Sequence, residues 1–357
     1  MKESLYWWLA LKSVAGLGER SIKKLYQNFK DPRLVFEADQ LKLKALLGGA
    51  KAQAITEKKF SFEPEEVIKV VEREGINWVC LSDPQYPVRL KEIEDPPPVL
   101  FYRGELKAVS CFGVVGTRNP DSYSVRYTKE LVGFLVDKGY AIASGGAKGI
   151  DAYAHKFCIE AGGYTLCLLG MGILEVPQRM QDFILRSGVL LSELLPWEKA
   201  DKHTFPRRNR LISGISEGVF VVEAGENSGA LITAYYAKEQ NRPVYVHVGY
   251  GISERWEGCI KLVNEGVAKL VGRVEKFGLK EEVQEEDPLL MALNTPKTLS
   301  ELSQLLGIDE RELHQKLGFY ELEGLITRNG SYYLRLKQEW DEYQTHQQFF
   351  PSFEEIQ

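Results

Sequence analysis

The stretch VSCFGVVGTRNPDSYSVRYTKELVGFLVDKGYAIASGGAKGIDAYAHKFCIEAGGYTLCLLG, residues 109–170, decides the fold. Short apolar runs (VSCFGVV, YAIAS, TLCLLG) alternate in it with longer segments, SVRYTKELVGFLVDKG and GIDAYAHKFCIEAG, whose apolar residues recur at helical spacing. Uninterrupted apolar runs suit strands buried on both faces, and strands separated by helices suit parallel pairing. The pattern continues through VLLSE, GVFVVEA, the helical ALITAYYAKEQN and PVYVHV, ending near Gly272. Six strands with intervening helices predict one α/β domain with an extended Rossmann-like, doubly wound parallel sheet.

Working outward, residues 1–62 read as a small helical domain: LYWWLALKSV, AGLGERSIKKLYQNF and a third helix near Ala38–Leu47 that ends at Gly48-Gly49. Between it and the stretch above lie a helix (PEEVIKVVEREG), a short strand (NWVCL) and the run DPPPVLFYRG, whose prolines demand an extended lead-in. The Rossmann-like domain is therefore expected over 63–278. An acidic linker at 279–287 follows. Residues 288–337 read as three helices and a hairpin turning at Asn329-Gly330, the order of a winged-helix domain. An acidic, aromatic tail at 338–357 closes the chain.

The 357 residues are 44% hydrophobic and 27% charged, which excludes disordered and collagen-like chains. Lys+Arg number 45 against 50 Asp+Glu, a net charge of −5, so coating with nucleic acid through bulk positive charge is excluded. That excess sits in the tail: Glu339, Asp341, Glu342, Glu354 and Glu355 account for all of it. Any anion site must be local. Cys80, Cys111, Cys158, Cys167 and Cys259 form no CxxC pair and read as core thiols, and the five histidines lack metal-ligand spacing. No metal and no cofactor is expected. The N-terminus lacks the pattern of a secretory peptide and no run approaches 18 apolar residues, so a cytoplasmic protein with no membrane partner is expected.

In an open α/β sheet, ligands bind beyond the carboxyl ends of the strands. The first strand is followed by Gly116-Thr117-Arg118-Asn119, which offers close backbone approach, a hydroxyl and a planar cation. The second ends in Ser144-Gly145-Gly146-Ala147-Lys148-Gly149 and runs straight into a helix, a cradle of N–H groups for an anion. It is neither GxGxxG nor a P-loop, and a packing turn is the plain alternative. Asp151 would repel phosphate there and is taken as structural.

The fourth strand leads to Lys202-His203-Thr204-Phe205-Pro206-Arg207-Arg208-Asn209-Arg210, four formal positive charges with no carboxylate in nine residues. Cations beside an aromatic on which a base stacks are the recipe for single-stranded nucleic acid; arginines paired to distant carboxylates are the bland reading. Ser228 and Gly229 follow the fifth strand on a fourth loop of the same edge. No nucleophile with a base, and no carboxylate pair, suggests catalysis. Glu223 lies just past a strand with no evident partner.

GVVGTRNPDSYS, SGGAKGIDAYAH, TLCLLGMGI, LLSELLP, TFPRRNRLISGISEGVFVVEA, SGALITAYYAKEQNRPVYVHVG and EGCIKLVNEG, taken in order, resemble the DprA/Smf family of DNA-processing proteins over about Leu81 to Gly272. The flanking helical and winged-helix segments are similar to domains that family members carry. The resemblance implies a single-stranded DNA-binding protein that protects incoming DNA and loads a RecA-type recombinase in natural transformation and recombination. It also implies a homodimer and no enzymatic turnover. It maps DNA contacts onto Arg118, the Ser144–Gly149 loop and the Lys202–Arg210 segment. Val176 and Ile260 depart from the family pattern at the pocket rim.

Two other functions compete. A nucleotide-hydrolysing Rossmann-like enzyme would share the glycine loops, but its PGGxGTxxE signature is missing. A transcription regulator would use the winged helix, but ERELHQKLGFYELEG carries Glu310, Glu312, Glu321 and Glu323 against Arg311 and Lys316, a poor guest in a major groove.

Overall fold

The computed structural model describes residues 2–249, 253–272, 274, 288–293, 295–322 and 325–335. The chain divides into two compact units, Met1–Phe277 and Gly278–Gln357. The anticipated linker (279–287) and tail (338–357) lie outside the described residues.

The first unit opens with α1 (Lys2–Ser13), α2 (Glu19–Phe29), α3 (Pro32–Phe36), α4 (Gln40–Leu47), α5 (Gly49–Thr56) and α6 (Pro64–Arg73). Sequence reading carries this region to residue 62 but ends its third helix at Gly48-Gly49, and so misses α3 and α5. Gly48, at φ +86°, ends α4 and starts α5 in one residue, and the alanine-rich segment then buries Ala52, Ala54 and Ile55. Leu5, Trp8 and Leu9 of α1 belong to the same buried cluster as Val99, Leu100 and Phe101. The helical region and the sheet thus share one core.

The sheet elements follow: β1 (Asn77–Cys80), α7 (Val88–Glu92), β2 (Val99–Gly104), β3 (Cys111–Gly116), α8 (Ser122–Asp137), β4 (Ala141–Gly145), α9 (Ile150–Glu160), β5 (Thr165–Leu168), α10 (Gln178–Ile184), β6 (Gly188–Ser192), α11 (Thr204–Ile215), β7 (Val219–Val222), α12 (Ala230–Glu239), β8 (Val244–His247), α13 (Glu257–Asn264) and β9 (Lys269–Leu270). The strand order is β1-β2-β6-β5-β4-β3-β7-β8-β9. β6 through β9 are parallel, while β2 runs antiparallel to both β1 and β6. The proline-led extended segment has therefore become a sheet strand. β4, β5, β6 and β7 are buried along their whole length, as helices on both faces require.

From β3 the chain steps outward through β4, β5 and β6, then returns to the other side of β3 with β7 and β8. That reversal is a topological switch point, where the loops leaving β3 and β7 part and open a crevice. All five cysteines are buried and free, and burial pushes the Cys167 thiol up to about 12.

The second unit contains α14 (Pro288–Ala292), β10 (Lys297–Thr298), α15 (Leu299–Leu306), α16 (Glu310–Leu322), β11 (Ile326–Asn329) and β12 (Tyr332–Arg335). Its antiparallel sheet has the order β10-β12-β11, and the hairpin turns at Asn329-Gly330 with Gly330 at φ +63°. Thr298 and Glu301 form a reciprocal capping box at the start of α15. Leu289, Leu293, Leu302, Leu313, Leu317, Ile326 and Tyr333 make its core.

Candidate functional site

A cleft of about 1080 Å³ opens at the switch point. Its walls include Gly116, Thr117 and Arg118 after β3, Ala147 and Asp151 around the start of α9, Lys202, Phe205, Arg208 and Asn209 at and within the start of α11, and Ser228 and Gly229 after β7. Four loops distant in sequence meet there because parallel strands deliver all their carboxyl ends to one edge.

Backbone bonds fix the loop after β3 on both sides. Thr117 N donates to the Glu223 carbonyl at 2.8 Å, and Ile150 N donates to the Thr117 carbonyl at 3.1 Å. Gly149 makes this possible: it sits at φ +82°, and a Cβ there would strike the Thr117 carbonyl and lie 2.6 Å from Arg118 Cα. Glu223 is 1% exposed and, although not glycine, adopts φ +55°. Its carboxylate accepts from Arg255 Nη1 at 2.7 Å and from Asp121 N at 3.0 Å. Arg255 also donates to the Asn119 carbonyl at 3.0 Å. The partner that sequence reading could not find for Glu223 is thus Arg255, 32 residues downstream, and the pair braces the Arg118 loop.

α11 starts where it does because the Asp201 carboxylate accepts from His203 N at 2.6 Å and Thr204 N at 2.8 Å, which holds its pKa below the usual carboxylate range. One residue into the helix, Phe205 turns its ring under Arg118, whose guanidinium lies 6.0 Å from the ring centroid. Helical spacing then divides the cations. Arg208 lies three residues beyond Phe205 and joins it on the cleft side, with Asn209. Arg207 and Arg210, also three apart, turn toward carboxylates elsewhere. Arg207 pairs with Glu19 and, at 3.2 Å, with Glu193. Arg210 pairs with Glu193 at 2.5 Å and Asp95 at 3.2 Å, and its side chain is 3% exposed.

The nine-residue basic segment therefore holds no carboxylate of its own yet is heavily paired. Among the described residues, Arg118, Lys148 and Lys202 are the candidate cations that stay exposed without an ion pair. The signal that sequence reading missed was Glu193, buried in the middle of LLSELLP, which faces two arginines at once.

Beneath the cleft, Arg208 Nη1 donates to the Leu168 carbonyl, tying α11 to the end of β5. A Cβ on Gly145 would collide with that guanidinium and stand 2.5 Å from Asp151 Oδ2, so only glycine leaves room for the two charges to face each other. Burial pushes the Asp151 carboxyl up to about 6, against the pull of Arg208 and of backbone N–H groups at Ala147 and Gly145. The same burial lowers the Arg208 pKa and pushes His155 down to about 4. His155 lies one turn along α9 from Asp151, with Nδ1 2.7 Å from Thr165 Oγ1 and Nε2 2.9 Å from the Gly145 carbonyl. Ser144 is fully buried and its hydroxyl donates to the Val114 carbonyl at 2.6 Å, so that oxygen serves the sheet. Gly146 and Lys148 stand exposed above it. Across the cleft, Asn209 Nδ2 donates to the Gly229 carbonyl at 3.2 Å and Ser228 Oγ accepts from Ala230 N at 3.3 Å, closing the start of α12. Among the described residues, no helix is long and apolar enough to cross a membrane.

A family model described as DNA recombination-mediator protein A matches residues 77–281. The chain is 35% identical over 272 residues to Protein Smf of Synechocystis, spanning 73% of this chain and 68% of that one. It is 40% identical over 234 residues to DNA processing protein DprA of Bacillus subtilis, spanning 63% and 78%. Among solved structures, DNA processing protein A of Streptococcus pneumoniae superposes with a TM-score of 0.65 at 32% identity, over 74% of this chain and 94% of that one. The Helicobacter pylori protein, whose structure concerns its single-stranded DNA binding mode, superposes with a TM-score of 0.50 at 26% identity, over 56% and 94%.

Proposed function

The chain belongs to the DNA recombination-mediator protein A family, and from that premise we propose that the switch-point cleft binds single-stranded DNA and that the protein delivers the strand to a RecA-type recombinase without chemical turnover. The observation that carries the reading is Arg118 lying over the Phe205 ring at the mouth of a cleft beside exposed Lys202. A guanidinium next to an aromatic face serves one phosphate and one base of the same nucleotide, and such stacking contributes about 1–3 kcal/mol per base. The single-stranded DNA binding described for the Helicobacter pylori relative supports it.

In this reading Arg118, Lys148 and Lys202 neutralise phosphates, Phe205 stacks a base, and Gly116, Thr117, Gly146, Asn209, Ser228 and Gly229 present small polar edges to the strand. Ser144, Gly145 and Arg208 shape the floor. Arg207 and Arg210 hold α11 in place. The second unit, read as a winged helix over 288–337, contacts protein, since α16 opens with Glu310 and Glu312. The working form is a homodimer in the cytoplasm.

Fluorescence-anisotropy titration of labelled oligothymidine at several salt concentrations tests the reading. The expected log–log salt slope is about −0.7 per phosphate contacted, and Arg118→Ala should weaken binding for all sequences alike and make the slope shallower by about one contact. A slope near zero for the unaltered protein would sink the proposal.

A further inference from the structure

Trp197 lies on the loop between β6 and α11 and is 39% exposed. Among the described residues of the first unit, every other Trp, Tyr and Phe side chain is buried or half-buried. A tryptophan left 39% exposed, with no ring partner and no side-chain hydrogen bond among the described residues, keeps part of its indole open to a ligand. Lys199 and Lys202 follow it on the same loop, both exposed and neither in an ion pair.

The backbone under Trp197 is held firmly. Gly172 N donates to the Glu198 carbonyl at 2.7 Å, Leu174 N donates to the Pro196 carbonyl at 2.9 Å, and Glu198 turns back to bond Leu195 through both its N–H and its carboxylate. A Cβ at Gly172 would collide with the Leu195 and Pro196 carbonyls. Two residues earlier on the same turn, a Cβ at Gly170 would stand 2.7 Å from Phe205 Cδ1. The Trp197 loop and the Phe205 ring therefore rest on one short turn after β5, on glycines no more than about 7 Å apart. Three residues beyond Trp197, Ala200 is already part of the cleft wall.

We propose that Trp197 is a second base-stacking platform outside the cleft, taking a nucleobase further along the strand from the one on Phe205 while Lys199 and Lys202 meet phosphates of the same strand. The inference rests on the reading of the cleft as a single-stranded DNA site. It adds a subsite, and so a longer footprint, that the cleft alone does not provide. An exposed indole fits this role because every base has a face to stack on it, and Lys side chains reach phosphates as point charges from a pinned loop.

The test is anisotropy of labelled oligothymidines of increasing length with the unaltered chain, Trp197→Ala, Trp197→Phe and Phe205→Ala. Trp197→Ala should lose about ten-fold in affinity for the longer oligonucleotides and nothing for the shortest that bind, whereas Trp197→Phe should lose less than about three-fold. Phe205→Ala should lose affinity at every length. Quenching of tryptophan emission on adding oligothymidine should be present in the unaltered chain and largely absent in Trp197→Phe, a readout that does not depend on how the alanine variant folds. Equal affinity of Trp197→Ala and the unaltered chain at all lengths, or quenching undiminished in Trp197→Phe, overturns the proposal. Absence of oligothymidine binding by the unaltered chain overturns the reading of the cleft instead.

Discussion

Replacing Arg210 with alanine separates the two kinds of cation in the basic segment. Its guanidinium is 3% exposed and bridges Glu193 at 2.5 Å and Asp95 at 3.2 Å, while the Glu193 side chain is 2% exposed. Removing one partner of such a buried pair costs about 3–5 kcal/mol because the remaining charge is left without compensation. Two features pull the cost toward the lower end. Glu193 keeps Arg207 at 3.2 Å, and Arg210 Nη1 already lacks a hydrogen-bond partner. We expect about 3 kcal/mol, equivalent for a unit of this size to a fall of roughly 6–12 °C in Tm by calorimetry. Below its melting range Arg210→Ala should bind oligothymidine within about two-fold of the unaltered chain, and Glu193→Gln added to it should restore at least about 1 kcal/mol by removing a buried carboxylate that has lost its nearer partner. Arg118→Ala should behave oppositely, with Tm within about 2 °C and affinity down about ten-fold. An Arg210→Ala protein that melts with the unaltered chain and loses as much affinity as Arg118→Ala would refute the division of the segment into bracing and binding residues.

Three further outcomes are expected. Asp151 and His155 give opposite pH slopes: the raised Asp151 pKa, about 6 against 3.8, makes stability fall as pH rises through that window, and the lowered His155 pKa, about 4 against 6.5, makes stability fall as pH drops through its own. Each is worth on the order of 3 kcal/mol. In urea melts from pH 7 to pH 4, His155→Gln should therefore gain stability relative to the unaltered chain and Asp151→Asn should lose it; parallel curves would contradict the assignment. Gly145→Ala should lower both Tm and oligothymidine affinity, because its Cβ must displace Arg208 or Asp151 from the cleft floor; an alanine variant matching the unaltered chain on both counts would show the contact to be soft. Deleting residues 278–357 should leave single-strand affinity within about three-fold, since every proposed contact lies in the first unit; a ten-fold loss would assign DNA contacts to the second.

Sequence alone determined the α/β alternation, the six central strands and the loops that end them, because hydrophobic period and glycine punctuation are local properties of the chain. It also marked Arg118 and Phe205, since an arginine after one strand and an aromatic among cations need no partner to be noticed. α5 escaped because Gly48 reads as an end when it is also a beginning. The fate of each cation in Lys202–Arg210 was not legible. Whether an arginine reaches solvent or a carboxylate depends on Glu19, Asp95, Asp151 and Glu193, which lie up to about 190 residues away along the chain and arrive only when α2, the start of α9 and the end of β6 pack around α11. The four charges look equivalent in one dimension; helical periodicity and tertiary packing send Arg207 and Arg210 one way and Phe205 and Arg208 the other. The sequence named the basic edge, and the fold chose which of its cations remain free to meet a phosphate.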